Sequence, residues 1–143
     1  MATRTAIQQP ALPAFIDTNV LLYLVSSDTA KADRAEQLLV QGGVISVQVL
    51  NEFANVARRK SSLAWSEITD ILTLVRRRFR VVPVTEAVHD RGMALVQRHA
   101  LSLYDAMIVA AALEAGAGTL YSEDMQHGLR VERSMMIVNP FSP

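Results

Sequence analysis

Four acidic side chains carry the chemistry this sequence can offer: Asp17, Glu52, Asp105 and Asp124. Asp17 closes the apolar run Ala14-Phe15-Ile16, and an ionised carboxylate is seldom buried without a partner or a cation. Asp often caps a helix, but Thr18 and Asn19 can cap the one that follows equally well, so capping alone does not account for Asp17. Glu52 sits on the edge of the helical stripe Val49, Leu50, Phe53, Val56 and Ala57, where its head can reach inward or turn to water. Asp105 opens a helix whose next residues, Ala106 to Leu113, are all apolar. It either closes a capping box with Ser102 or is held at a sheet edge as a ligand. Asp124 follows Ser122-Glu123 and is either half of an exposed loop pair or a second acid at a strand end. Brought together, four carboxylates repel one another unless a cation neutralises them. Oxygen donors suit Mg²⁺ or Mn²⁺ and disfavour zinc. A Mg²⁺ ion held by one or two carboxylates, with waters and a phosphate completing its shell, suits phosphodiester hydrolysis.

The elements that must position these acids alternate strand and helix. Ala14-Phe15-Ile16-Asp17 reads as a short buried strand, followed by Thr18 or Asn19 as N-cap and an apolar helix from Val20 to Val25. A second helix runs from about Ala30 to Val40 and stops at Gly42-Gly43. Val44-Ile45-Ser46 is strand-like, and Ser46 can cap a helix from Val47 to about Lys60. Ser66 can cap the next helix, which ends at Arg76-Arg77-Arg78. Phe79 to Val84 reads as a strand with Pro83 near its end. Thr85 begins a helix reaching about His99, and Ser102 begins another from Leu103 to Glu114, closed by Gly116 and Gly118. Thr119 to Ser122 and Met135 to Val138 are the last strands. Strands separated by helices imply right-handed crossovers and a mainly parallel sheet covered on both faces. Ligands of such sheets sit beyond the carboxyl ends of the strands, where Asp17 and Asp124 fall.

At 143 residues the chain fits one compact domain, expected over 14–143 after a loose lead-in over 1–13. It has no cysteine, which excludes disulfides, thiolate metal sites and a cysteine nucleophile. The first residues lack the apolar core of a signal peptide, and no run approaches the roughly 20 apolar residues of a membrane span; a cytoplasmic location follows by default. The 14 basic and 14 acidic residues balance. Arginines bunch at Arg58 and Arg59, beside Lys60, and at Arg76, Arg77 and Arg78, with Arg80 nearby. Such clusters can dock a polyanion through bidentate phosphate contacts, or simply be solvated helix ends.

The segments FIDTNVLLY, SVQVLNEF, SLYDAMIVAAAL and LYSEDMQHG, in that order, resemble the PIN domain, in particular the VapC-type ribonuclease toxins of bacterial toxin–antitoxin pairs. The likeness runs through nearly the whole chain from Ala14 onward. It implies a five-stranded, mainly parallel sheet flanked by helices on both faces. It also implies an acidic site of Asp17, Glu52, Asp105 and Asp124, with Asn19 positioning the cluster and Thr18 and Ser122 in support. By the same resemblance Asp17, Asp105 and Asp124 hold Mg²⁺ or Mn²⁺ directly or through waters, and Glu52 holds or deprotonates the attacking water. RNA is then cut to 5′-phosphate and 3′-hydroxyl ends, with Arg58, Arg59, Arg76, Arg77 and Arg78 as candidate RNA contacts. A cognate antitoxin and a homodimer are the implied partners. Glu123 stands outside the core set, and none of His89, His99 and His127 is required.

Other readings are a non-catalytic PIN-like interaction module and a DNA-directed nuclease using the same metal chemistry. A phosphatase of the Asp-x-Asp type fits poorly, because Asn19 stands where its second carboxylate belongs. A phosphoryl-accepting receiver fits no better, since it needs a lysine near a late strand.

Overall fold

The structure, a computed structural model, describes residues 11–143. The lead-in expected over 1–13 lies outside the described residues apart from Ala11, Leu12 and Pro13. From there, β1 (Ala14–Ile16) leads into α1 (Thr18–Leu21) and a 3₁₀ turn, Leu22–Val25. Next come α2 (Thr29–Gln41), β2 (Gly43–Ser46), α3 (Val47–Lys60), α4 (Trp65–Arg78) and β3 (Phe79–Val82). The chain ends with α5 (Glu86–His99), α6 (Leu103–Glu114), β4 (Thr119–Tyr121), β5 (Arg130–Val131) and β6 (Met135–Val138).

The strands form one sheet in the order β3-β2-β1-β4-β6-β5. Five are parallel neighbours, while β5 pairs antiparallel with β6. The expected five-stranded sheet is thus corrected to six strands. The addition escaped the sequence reading because two residues cannot show a period-2 alternation. Adjacent residues of a strand point to opposite faces, yet Phe15 and Ile16 are both fully buried, as are Ile45 and, nearly so, Val44. Both faces of the central sheet are therefore covered, as parallel strands require. α6 is buried from Ala106 to Leu113 and packs against α5 and β2.

Local chemistry explains most boundaries. Thr85 and Ser102 cap α5 and α6 by accepting from the Val88 and Asp105 N–H groups. Two expected caps are corrected. Ser46 stands at the N-cap of α3, but its hydroxyl makes no bond to the helix and is buried without a partner. α4 starts two residues earlier than a Ser66 cap would allow; Ala64 is its N-cap, with the Glu67 side chain accepting from the Ala64 N–H at 3.0 Å. The strand expected to reach Val84 ends at Val82.

Gly42 and Gly43 end α2 and start β2 with φ of +75° and +141°. A Cβ on Gly43 would lie 2.3 Å from the Ala14 carbonyl oxygen, in the strand that delivers Asp17. Gly43→Ala is accordingly expected to destabilise the fold by about 3 kcal/mol or more, read as a lower urea midpoint. An unchanged midpoint would mean that β1 and β2 can separate without cost.

Candidate active site

β1 turns back to β2 and β3 on one side, while β4 enters on its other side, so the sheet's topological switch point lies between β1 and β4. The carboxyl ends of those strands deliver Asp17 and the Ser122-Glu123-Asp124 segment. The Asp17 N–H donates to the Tyr121 carbonyl at 2.9 Å, which carries the β1–β4 pairing into the site itself. It is Asp17, not Thr18 or Asn19, that caps α1: one carboxylate oxygen accepts from the Thr18 N–H at 2.7 Å. The other accepts from the Ser122 hydroxyl at 2.8 Å and the Asn19 amide at 3.2 Å. Only 4 % of Asp17 is exposed. Burial is the main reason its pKa is pushed up to about 7. The hydrogen bonds from Ser122 and Thr18 oppose the rise, and the charges of Asp105 and Glu52 add to it.

Glu52 does not turn to water. One oxygen accepts from the Thr18 hydroxyl and the other from the Gln48 amide, each at 2.8 Å. Gln48 also donates to the Tyr104 carbonyl at 3.1 Å, tying α3 to the first turn of α6 beside Asp105. Asp105 forms half of a capping box: its N–H donates to the Ser102 hydroxyl at 3.2 Å, but no bond returns to the Ser102 N–H. Burial holds the Asp105 carboxyl above its ordinary value against the lowering effect of the Ser102 hydroxyl beside it, with the charges of Asp124 and Glu52 adding to the rise. Asp124 is exposed, on the Asp105 side of the group. Asp17, Glu52, Asp105 and Asp124 all line one open cleft of about 650 Å³, with Thr18, Asn19 and Glu123. Ser122 is buried behind Asp17.

Two features were missed in the sequence. Gln48 could have been suspected from its place one turn before Glu52. The second is a polar wall in which Lys31 lies 2.6 Å from Glu123 and Tyr23 donates to the other Glu123 oxygen. The Lys31 ammonium also rests over the Tyr23 and Phe141 rings, at 4.9 and 5.3 Å. Burial works against the Glu123 charge, but the bonds from Lys31 and Tyr23 prevail and hold its carboxyl below the ordinary range. Tyr23 and Glu123 lie 100 residues apart in the chain, and nothing local in the sequence links them.

The arginine clusters stand apart from the acids. Arg58 donates to the Leu63 carbonyl and lies over the Trp65 ring, and neither Arg58 nor the exposed Arg59 lines the cleft. Arg76, Arg77 and Arg78 are exposed where α4 enters the amino end of β3, the sheet edge opposite the acids. Lys60, by contrast, lines the cleft. His89 and His127 are exposed, and His99 is half-buried with its Nε2 unpartnered.

Among the described residues, no three Asp, Glu, His or Cys side chains converge tightly enough to hold an ion between them. That spacing disfavours a dehydrated cage. A Mg²⁺ ion, which takes one or two carboxylates and keeps several waters, would need no such cage. The donor set agrees, since the site offers only oxygens, and Asp17 and Asp105 both resist ionising without a compensating charge.

A family model described as the PIN domain matches residues 14–128. No curated protein matches the sequence. Among solved structures, a toxin–antitoxin complex from Klebsiella pneumoniae aligns with a TM-score of 0.68 at 22% identity, covering 91% of this chain and 99% of that one. The VapC20 sarcin–ricin-loop-cleaving toxin of Mycobacterium tuberculosis aligns with a TM-score of 0.61 at 21% identity, covering 78% of this chain and 89% of that one. VapBC2 from Rickettsia felis, bound to a DNA fragment from its promoter, aligns with a TM-score of 0.63 at 15% identity, covering 87% of this chain and 96% of that one. At such identities these likenesses speak for the fold.

Proposed function

The chain belongs to the PIN-domain family, and from that premise we propose that it is a divalent-metal-dependent endoribonuclease, the toxin of a toxin–antitoxin pair. The observation that carries this reading is the single cleft shared by Asp17, Glu52, Asp105 and Asp124, drawn from four elements and burdened with mutual repulsion. Asp17, Asp105 and Asp124 would hold Mg²⁺ or Mn²⁺ directly or through its waters. When bound, the ion supplies the charge that lets these acids ionise together, lowers the pKa of a water and offsets charge building on the phosphate. Thr18 and Gln48 fix both oxygens of Glu52, so this carboxylate is set to orient the attacking water and take its proton. Attack on phosphorus in line with the 3′ oxygen forms the new P–O bond as the P–O3′ bond breaks. The departing oxygen takes a proton, leaving 5′-phosphate and 3′-hydroxyl ends. The nuclease unit is residues 14–143, its inhibitor a cognate antitoxin, and its assembly a homodimer; the Klebsiella relative is itself part of a toxin–antitoxin complex.

The test is cleavage of total RNA without divalent ions, with Mg²⁺ and with Mn²⁺, alongside single-stranded DNA, with the new ends mapped. Cutting of RNA only when an ion is present, giving 5′-phosphates, is expected. No cutting under any condition, or cutting of DNA alone, overturns the reading.

A further inference from the structure

The cleft is larger than its acidic end requires. An ion with six waters occupies on the order of 180 Å³ at about 30 Å³ per water, against about 650 Å³ in the cleft. The remaining space runs along α3 to Asn55, Val56 and Lys60, faced across the cleft by Val25, Ser26 and Ser27. Glu52, Val56 and Lys60 recur every fourth residue, so one face of the helix lines the cleft for its length. From Glu52 to Lys60 the helix rises about 12 Å, several times the roughly 3.4 Å between stacked nucleotides. A cation there cannot share the phosphate held at the acids. Lys60 is in none of the three ion pairs among the described residues, whereas the other lysine, Lys31, is engaged by Glu123.

We propose that this arm is a subsite for the nucleotides on one side of the scissile phosphate. Lys60 takes a flanking phosphate, Asn55 and the two serines offer hydrogen bonds to a ribose or base edge, and Val25 and Val56 form an apolar wall against a base. The inference deepens the nuclease reading and rests on it. Because the arm lies away from the reacting phosphorus, its contribution falls on substrate binding, not on the chemical step.

The test compares parent, Lys60→Ala and Lys60→Arg on RNA oligonucleotides of one cleavage sequence, each shortened on its 5′ or its 3′ side. Lys60→Ala is expected to raise KM about tenfold with kcat nearly unchanged. It should also make the slope of log KM against log salt shallower by about 0.7, one phosphate contact on a single strand, while Lys60→Arg restores both. Shortening the RNA on the side this arm holds should erase the difference between parent and Lys60→Ala. A Lys60→Ala variant that cuts with the parent's KM and salt slope overturns this inference and leaves the nuclease reading intact. A parent that cuts no RNA overturns both.

Discussion

Asp17→Asn is expected to lower metal-dependent RNA cleavage by at least about a hundredfold while the chain stays folded. The substitution keeps the shape of the side chain and its bond from the Thr18 N–H. It removes the one carboxylate that is both buried at the switch point and in contact with Ser122 and Asn19. An amide there can neither neutralise a cation nor share in the repulsion that makes cation binding favourable. Single-turnover cleavage at saturating Mg²⁺, with circular dichroism as the check on folding, reads the effect. Activity within tenfold of the parent would take Asp17 out of the mechanism.

The same residue gives the second large effect, on stability. Its pKa rises from an ordinary 3.8 to about 7 in the folded chain. Below about pH 4 the group is protonated whether the chain is folded or not, and it costs nothing. Between that point and neutrality the folded chain holds a proton that the unfolded chain releases, so stability falls as pH rises. Above about pH 7 the whole cost is present, on the order of 4 kcal/mol. Asp105 pulls in the same direction, while Glu123 and Glu132, whose carboxyls are lowered, pull in the opposite one at more exposed sites.

Comparison with Asp17→Asn isolates the Asp17 contribution. The Asn amide must face the Asn19 amide at 3.2 Å and the Ser122 hydroxyl at 2.8 Å, whose proton has to turn away; the donor–donor contact costs about 1 kcal/mol. At pH 8 without divalent ions the variant should still be about 3 kcal/mol more stable, a melting temperature on the order of 10 °C higher. By about pH 4, where the group is protonated in both states, the gain should be gone. Adding Mg²⁺ at pH 8 should raise the parent's melting temperature and barely move the variant's. Equal pH slopes for the two proteins would show that Asp17 ionises in the folded chain without penalty.

What the sequence could reveal was whatever a few neighbouring residues determine. Ser102 and Thr85 announce their helices because a cap needs only the next three residues. The apolar run from Ala106 to Leu113 likewise announces a helix buried on all sides. Ser46 misled because the cap position is local while the orientation of a buried hydroxyl is set by packing. The arginine clusters were legible as charge but not as position. Only the topology shows that Arg76 to Arg78 end at the amino side of the sheet, while Lys60, a neighbour of Arg58 and Arg59 in sequence, faces the cleft. The four acids were legible as candidates because each breaks an apolar or strand-terminal pattern. The bonds from Ser122 to Asp17 and from Thr18 to Glu52 cross elements and left no sequence trace beyond residue type, whereas the Gln48 bond to Glu52 lies within α3.

β4 lies between β1 and β6, and the Ser122 N–H that follows it donates to the Val138 carbonyl. Asp17 is therefore synthesised 105 residues before the Ser122 that holds it, and β6, on which Ser122 is seated, follows later still. A product that stops short of β6 has Asp17 but lacks the strand on which Ser122, the residue behind it, is seated.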